Sequence, residues 1–264
     1  MVDPTPGFTR FALTRASDEP RWMDTRGMLL SGRARVHADP ARVDAGVVVV
    51  VPDSALASVV GRPDPGLIAR AVAALPGDVN VLAQMEGADH VARALPGWRR
   101  SRALIHVLPA IASWEHEREP NTRVFTLESA PQFDHVPDAM RRELLDALRG
   151  RTVSRFVPGA LPHAGPLARI VTVPMAAVWA DGRPVSFCYP VWQTETLWDV
   201  SIETLEGYRR RGFAARAART MIRYMRRHGR APVWGALDTN MASRALAATL
   251  GFVENAGIAV FSAV

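Results

Sequence analysis

The segment Glu206-Gly207-Tyr208-Arg209-Arg210-Arg211-Gly212-Phe213-Ala214 sets a glycine-containing turn between a strand-like stretch and a helix-like one. Such a junction gathers free backbone N–H groups and the positive end of a helix dipole at one spot, which suits an anion, most often a diphosphate. The spacing is neither the G-x-G-x-x-G of a dinucleotide loop nor the Gly-Lys-Ser/Thr of a P-loop. Lysine is absent altogether, so the 32 cationic side chains are all arginine. Just upstream, Asp199, Ser201 and Glu203 alternate and would share one face of an ideal strand. Either carboxylate there could take a proton from a nucleophile.

The loop fits the pattern Arg/Gln-x-x-Gly-x-Gly/Ala, read as Arg209-Arg210-Arg211-Gly212-Phe213-Ala214, and a second element follows in order: Asn240-Met241-Ala242-Ser243, then Leu250-Gly251-Phe252. Together, over roughly residues 165–264, these resemble the GNAT superfamily of N-acetyltransferases. The resemblance implies an α/β fold with a mixed sheet and acetyl-CoA as cosubstrate. Backbone groups of Ile202, Glu203 and Thr204 would pair with the pantetheine arm as an added strand. Amides from Arg209, Arg210, Arg211, Gly212, Phe213 and Ala214 would hold the pyrophosphate, and Asn240 and Ser243 would touch the pantetheine arm. A helix N-cap explains Asn240 equally well, and the two roles are compatible. The implied reaction is direct attack of a primary amine, of a small molecule, amino acid or peptide, on the acetyl thioester. Asp199 lies nearer the usual position of the general base, while Glu203 is closer to the thioester if the strand bulges; a solvated strand carboxylate is the plain alternative for each.

One departure matters. Many members of that superfamily carry a tyrosine shortly after Leu-Gly-Phe, which protonates the leaving thiolate, and here Val253-Glu254-Asn255-Ala256 follows. Water could serve instead, or the thiol product could leave charged. A non-catalytic CoA-binding regulatory or interaction module is therefore the competing reading. Other chemistry is poorly supported. Cys188 is the sole cysteine, so there is no intrachain disulfide and no cysteine-based zinc site, and its nearest histidine in sequence is His163. Trp114-Glu115-His116-Glu117-Arg118-Glu119 holds metal-ligand atoms without H-E-x-x-H spacing, so no metal is expected.

The positioning elements are read from periodicity. Met175–Trp179 and Pro184–Tyr189 flank an Asp181-Gly182 turn, with Leu167–Val173 before them and Thr196–Thr204 after. Phe213, Ala217, Met221 and Met225 mark the core stripe of a helix that ends at His228-Gly229, and its arginines read as a solvated face. Strand Pro232–Leu237, helix Met241–Leu250 and strand Gly257–Phe261 complete this half. The first half offers strand Gly46–Val51, helix Pro65–Leu75, strand Val79–Leu82, helix Ala88–Leu95 and strand Arg102–Leu108, the same order as that from residue 198 onward. A degenerate copy of one fold, shaping the acceptor site, fits this order, although α/β chains alternate in any case. Its nearest glycine stretch, Val59-Val60-Gly61-Arg62-Pro63, lacks the loop spacing. The expected domains are 1–120, a connector 121–150 with a helix from Pro137 to Leu148, and 151–264.

At 264 residues, with 48% hydrophobic and 22% charged side chains, the chain reads as globular. The net charge of +6 comes from arginines spread along the chain, which argues against a dedicated nucleic-acid role. The proline-containing start and the absence of a long apolar run lead to an expectation of a cytoplasmic protein with no membrane span. A homodimer is left open.

Overall fold

The computed structural model describes residues 6–109, 114, 117–149 and 173–264. Glu115, His116, His163 and the Leu167–Thr172 part of the expected strand lie outside them. Among the described residues no helix is long and apolar enough to cross a membrane.

The strands are β1 (Arg35–His37), β2 (Gly46–Val51), β3 (Leu56–Gly61), β4 (Asn80–Gln84), β5 (Arg99–Val107), β6 (Thr122–Phe125), β7 (Met175–Ala180), β8 (Arg183–Gln193), β9 (Leu197–Thr204), β10 (Ala231–Leu237) and β11 (Val253–Ser262). The helices are α1 (Pro6–Arg15), α2 (Met23–Leu30), α3 (Pro65–Ala73), α4 (Ala88–Ala94), α5 (Asp138–Leu148), α6 (Phe213–Arg227) and α7 (Met241–Thr249). All the described strands join one sheet in the order β1-β2-β3-β4-β11-β5-β10-β9-β8-β7-β6.

The repeated order seen in the sequence has a topological counterpart. In β3-α3-β4-α4-β5 and in β9-α6-β10-α7-β11 the first two strands pair in parallel. The last strand of each then leaves its own half: β11 lies between β4 and β5, and β5 lies between β11 and β10. The two halves are therefore stitched by exchanged strands into one continuous sheet. The first half also differs from expectation, because Gly46–Val51 does not feed α3. A hairpin returns it through β3, whose Ser58 breaks the apolar alternation that would have announced a strand.

The β2 run of valines is buried on both sides, with Val47, Val49 and Val51 in one core and Val48 and Val50 in another, as expected for a strand covered on both faces. The first of these cores faces α1 and α2, which occupy the concave side of the curled sheet. Adjacent residues of α2 touch strands far apart in the sheet order. The Thr25 and Ser58 hydroxyls lie 2.7 Å apart on β3. Arg26 makes a paired contact with Glu195, in the β8–β9 turn, at 2.7 and 2.6 Å. The same guanidinium donates to the Leu13 and Ala16 carbonyls, and Asp18 accepts from the Thr196 amide and hydroxyl. Residues 6–30 thus belong physically to both halves.

Gly27 lies so close to β8 that an added Cβ would fall 2.6 Å from Trp192 Cβ. Gly27→Ala should lower the unfolding free energy by about 1–3 kcal/mol through overpacking, despite alanine's better helix propensity. Chemical denaturation measures this, and a rise in stability would mean that α2 does not seat against β8 as described.

Candidate functional site

Strands β9 and β10 run parallel and pair only at Leu197–Ala231, Trp198–Pro232 and Asp199–Val233. Beyond Asp199 they part. Strand β9 stays bonded to β8 as far as Thr204, and β10 to β5 as far as Leu237. The wedge between them is lined by backbone edges that have no strand partner on that side, including those of Ile202, Glu203 and Thr204. Asp199 stands at its apex.

At the mouth of the wedge, β9 leads through Leu205–Arg211 into α6. Gly212 is the helix N-cap at φ +77°, no side chain caps the helix, and no acid occupies its first turn. The expected Arg209 amide is not available, since it donates to the Glu206 carbonyl at 3.2 Å, but no side chain takes the amides at the start of α6, which suits an external anion. Arg210 also holds a left-handed φ of +61°, a conformation that a non-glycine residue adopts at a local energetic cost. An added Cβ at Gly212 would meet nothing within 4 Å, so glycine is needed there for its φ and not for room against the protein. The equivalent β3–α3 junction is built differently: Asp64 caps the helix by accepting from the Leu67 amide at 3.1 Å, and Pro65 removes another N–H. Its helix end is satisfied internally.

The arginines divide by role. Arg209, Arg210 and Arg211 are exposed on the loop. Arg209 Nε donates to the Thr204 carbonyl at 3.2 Å, and Arg211 lies over the Tyr208 and Phe213 rings. The helical row is not the solvated face expected from sequence. Arg216 and Arg219 reach Glu119, and Arg216 also donates to the Pro120 carbonyl. Arg223 donates to the Trp114 carbonyl and Arg226 to that of Leu108. Periodicity placed these side chains off the core stripe but could not show that Leu108, Trp114, Glu119 and Pro120 would partner them.

Asn240 caps α7 by accepting from the Ser243 amide at 3.1 Å, and Ser243 Oγ accepts from Trp234 Nε1 at 2.9 Å. Both residues are brought to the end of β10, beside the open side of the wedge. Helix α7 closes as expected, with Gly251 at φ +91° and Phe252 buried against Trp234.

Asp199, Ser201 and Glu203 do share a face, the concave one. Burial and the negative charge of Asp24 push the Asp199 carboxyl well above the usual carboxylate range. Burial pushes Asp24 of α2 up to about 6. Glu203 is raised by burial and by Glu143 of α5, while Arg209 pulls it back. Sequence reasoning missed Asp24 and Glu143, because nothing local marks either. It also left Tyr189 aside, which stands opposite Ser201, is buried, and donates to Glu143 at 2.7 Å. Burial raises its phenol, which keeps the proton for that bond. Cys188 is fully buried and its thiol is pushed well up, so it is a poor nucleophile. Among the described residues no group of three His, Cys, Asp or Glu side chains is arranged to hold a metal.

The site is thus a parallel strand pair that splays beyond a strand carboxylate and faces an uncapped helix N-terminus. Residues 176–261, about a third of the chain, match the GNAT acetyltransferase family. No curated protein matches the chain in sequence. Among solved structures it is similar in fold to a GCN5-related N-acetyltransferase-like protein from Streptococcus suis, at 14% identity over 97% of this chain and 98% of that one, with a TM-score of 0.64. A GCN5-related N-acetyltransferase from Kribbella flavida is similar at 15% identity over 92% and 93%, with a TM-score of 0.54. A putative GNAT-family acetyltransferase from Novosphingobium aromaticivorans is similar at 19% identity over 93% and 96%, with a TM-score of 0.51.

Gly212→Ala should destabilise the fold by about 1–2 kcal/mol, the strain of an alanine held at left-handed φ. A denaturation midpoint equal to wild type would show that the loop relaxes out of that conformation.

Proposed function

We propose that the protein is an N-acetyltransferase that moves the acetyl group of acetyl-CoA to a primary amine by direct attack, within a ternary complex. The observation that carries this reading is the β9–β10 wedge, which opens immediately beyond Asp199 and faces an uncapped helix N-terminus. Acetyl-CoA would enter with its pyrophosphate at the amides of Arg210 to Ala214. Its pantetheine arm would lie along Ile202, Glu203 and Thr204, beside Asn240 and Ser243. Its thioester would then lie near the apex.

Asp199 is favoured over Glu203 as the proton acceptor, because it stands at the apex and its raised affinity for protons suits a base working near neutrality. The amine nitrogen attacks the thioester carbonyl, a carboxylate takes the nitrogen proton, and the C–S bond breaks to release the thiolate of CoA. The described tyrosine hydroxyls do not suggest an obvious acid for that thiolate: Tyr189 donates to Glu143 and Tyr208 donates to Asp181. This favours protonation by water. It also supports a second reading, a CoA-binding module without turnover.

Calorimetric titration with acetyl-CoA, followed by a free-thiol assay over a panel of amines, tests both. Binding with thiol release that rises with pH is expected, since the base must lose a proton it holds tightly. Asp199→Asn should lower kcat/KM by about 10²–10⁴-fold while leaving acetyl-CoA affinity within about twofold of wild type, and Glu203→Gln should do less. Binding without thiol release from any amine would favour the module, and no binding would remove both readings.

A further inference from the structure

Strands β3 and β4 repeat the geometry of β9 and β10 in the first half of the chain. They run parallel, their ladder ends at Val59–Ala83, and beyond it they part. On their outer sides both stay bonded, β3 to β2 as far as Gly61 and β4 to β11 as far as Gln84. The gap between them opens into a cavity of about 390 Å³, a size within the range of roughly 300–1,000 Å³ of small-molecule sites. Residues of both cores line it. Trp22 and Val60 belong to the core on the concave side, whereas Val59 and Val91 belong to the core on the other face. The cavity is separate from the β9–β10 wedge, because β11 and β5 stand between β4 and β10.

The charged lining is cationic. Arg15 at the end of α1, Arg21 in the turn before α2 and Arg62 just after β3 face one acid, Glu86. Arg21 lies 3.2 Å from the Glu19 carboxylate and 3.8 Å from that of Glu86. Among the described residues Arg15 and Arg62 have no carboxylate partner. Arg62 donates to the Glu86 carbonyl at 3.4 Å, and Arg15 lies over the Phe11 ring. Three arginines set against Glu19 and Glu86 leave one positive charge in excess, which a monoanion balances. The remaining wall is apolar apart from Gln84, whose amide donates to the Arg21 carbonyl at 2.9 Å. No diphosphate anchor exists at this end, because Asp64 and Pro65 close the helix start that follows β3. A guanidinium fork instead matches one planar carboxylate.

We propose that the β3–β4 gap is a second ligand site, which takes a small monocarboxylate with an apolar body. The carboxylate meets Arg15 and Arg62, and the body lies against Trp22, Val60 and Val91. The site is independent of acetyl-CoA, and its ligand binds whether or not the β9–β10 wedge is filled. Arg21 and Trp22 directly precede α2, so the ligand also rests on the segment that ties the two halves together.

Calorimetry on the full chain tests this with 3-phenylpropanoate, its neutral amide 3-phenylpropanamide, and acetate. Wild type should bind 3-phenylpropanoate saturably, and the amide and acetate should each bind at least about tenfold more weakly. Arg15 and Arg62 are exposed, so Arg15→Gln and Arg62→Gln should fold normally. Each should weaken the carboxylate about tenfold while leaving the amide within about twofold. Gly87→Leu should fill the gap, because Gly87 has an ordinary φ of −100° and an added Cβ there meets only the Gly61 carbonyl, at 3.8 Å. That variant should melt within a few degrees of wild type and lose carboxylate binding; if it melts early, the two arginine variants decide alone. Saturating acetyl-CoA should change the carboxylate affinity by less than about twofold, whatever the transfer assay shows. No saturable binding to wild type, an amide that binds as tightly as the carboxylate, or acetate that does so would overturn the proposal. So would full affinity in both arginine variants, full affinity in a folded Gly87→Leu, or displacement by acetyl-CoA.

Discussion

The structure depends on the seating of α2 inside the curl of its own sheet. A sheet this long twists and coils, and its concave side must be filled by something that reaches both arms. Thr25 and Arg26 do so from neighbouring positions, one to β3 and one to the β8–β9 turn. The contact is polar, part-buried and geometrically exacting, unlike the valine and leucine packing around it. It sets the distance between the arms and delivers Asp24 to β9. The exchange of β5 and β11 adds a second constraint, because neither half can complete its sheet without the other.

Within that frame, the two halves make one comparison that the chain supplies for itself. Each has a parallel strand pair, a turn with a left-handed glycine and a following helix. In the first half the helix end is closed by Asp64 and Pro65. In the second it is left open at Gly212. The difference lies in a carboxylate cap and one missing N–H, enough to separate a helix start that serves only the fold from one that can serve a diphosphate. The acidic concave face and the basic loop then divide the labour by charge within a few residues of β9.

The second half was legible in the sequence for a physical reason. Its helix α6 shows its stripe, its turns carry Asp-Gly and Leu-Gly-Phe, and its loop needs glycine at a fixed place, all of which are local rules. The alternation of Asp199, Ser201 and Glu203 likewise follows from the strand period. The first half spoke less clearly because β3 is short and interrupted by Ser58, and because residues 6–30 are helices whose apolar residues follow no clean stripe. The arginine row on α6 was read correctly as lying off the core and wrongly as solvated. Periodicity reports which side faces away from the core, but not whether another segment covers it.

The sequence by itself carried the family resemblance of its second half, the glycine loop at Arg209 to Ala214 and the strand that carries the carboxylates, since these rest on interactions between residues close in the chain. Only the tertiary structure decided which carboxylate stands at the apex of the wedge, because that depends on where the β9–β10 ladder stops. It alone placed Asp24 and Glu143 on the same face, across 175 and 56 positions of chain respectively from Asp199 (199 − 24 and 199 − 143). Contacts at such separations follow from the curl of the sheet and the anchoring of α2. No local pattern records them, because each partner is satisfied by geometry that the rest of the molecule provides.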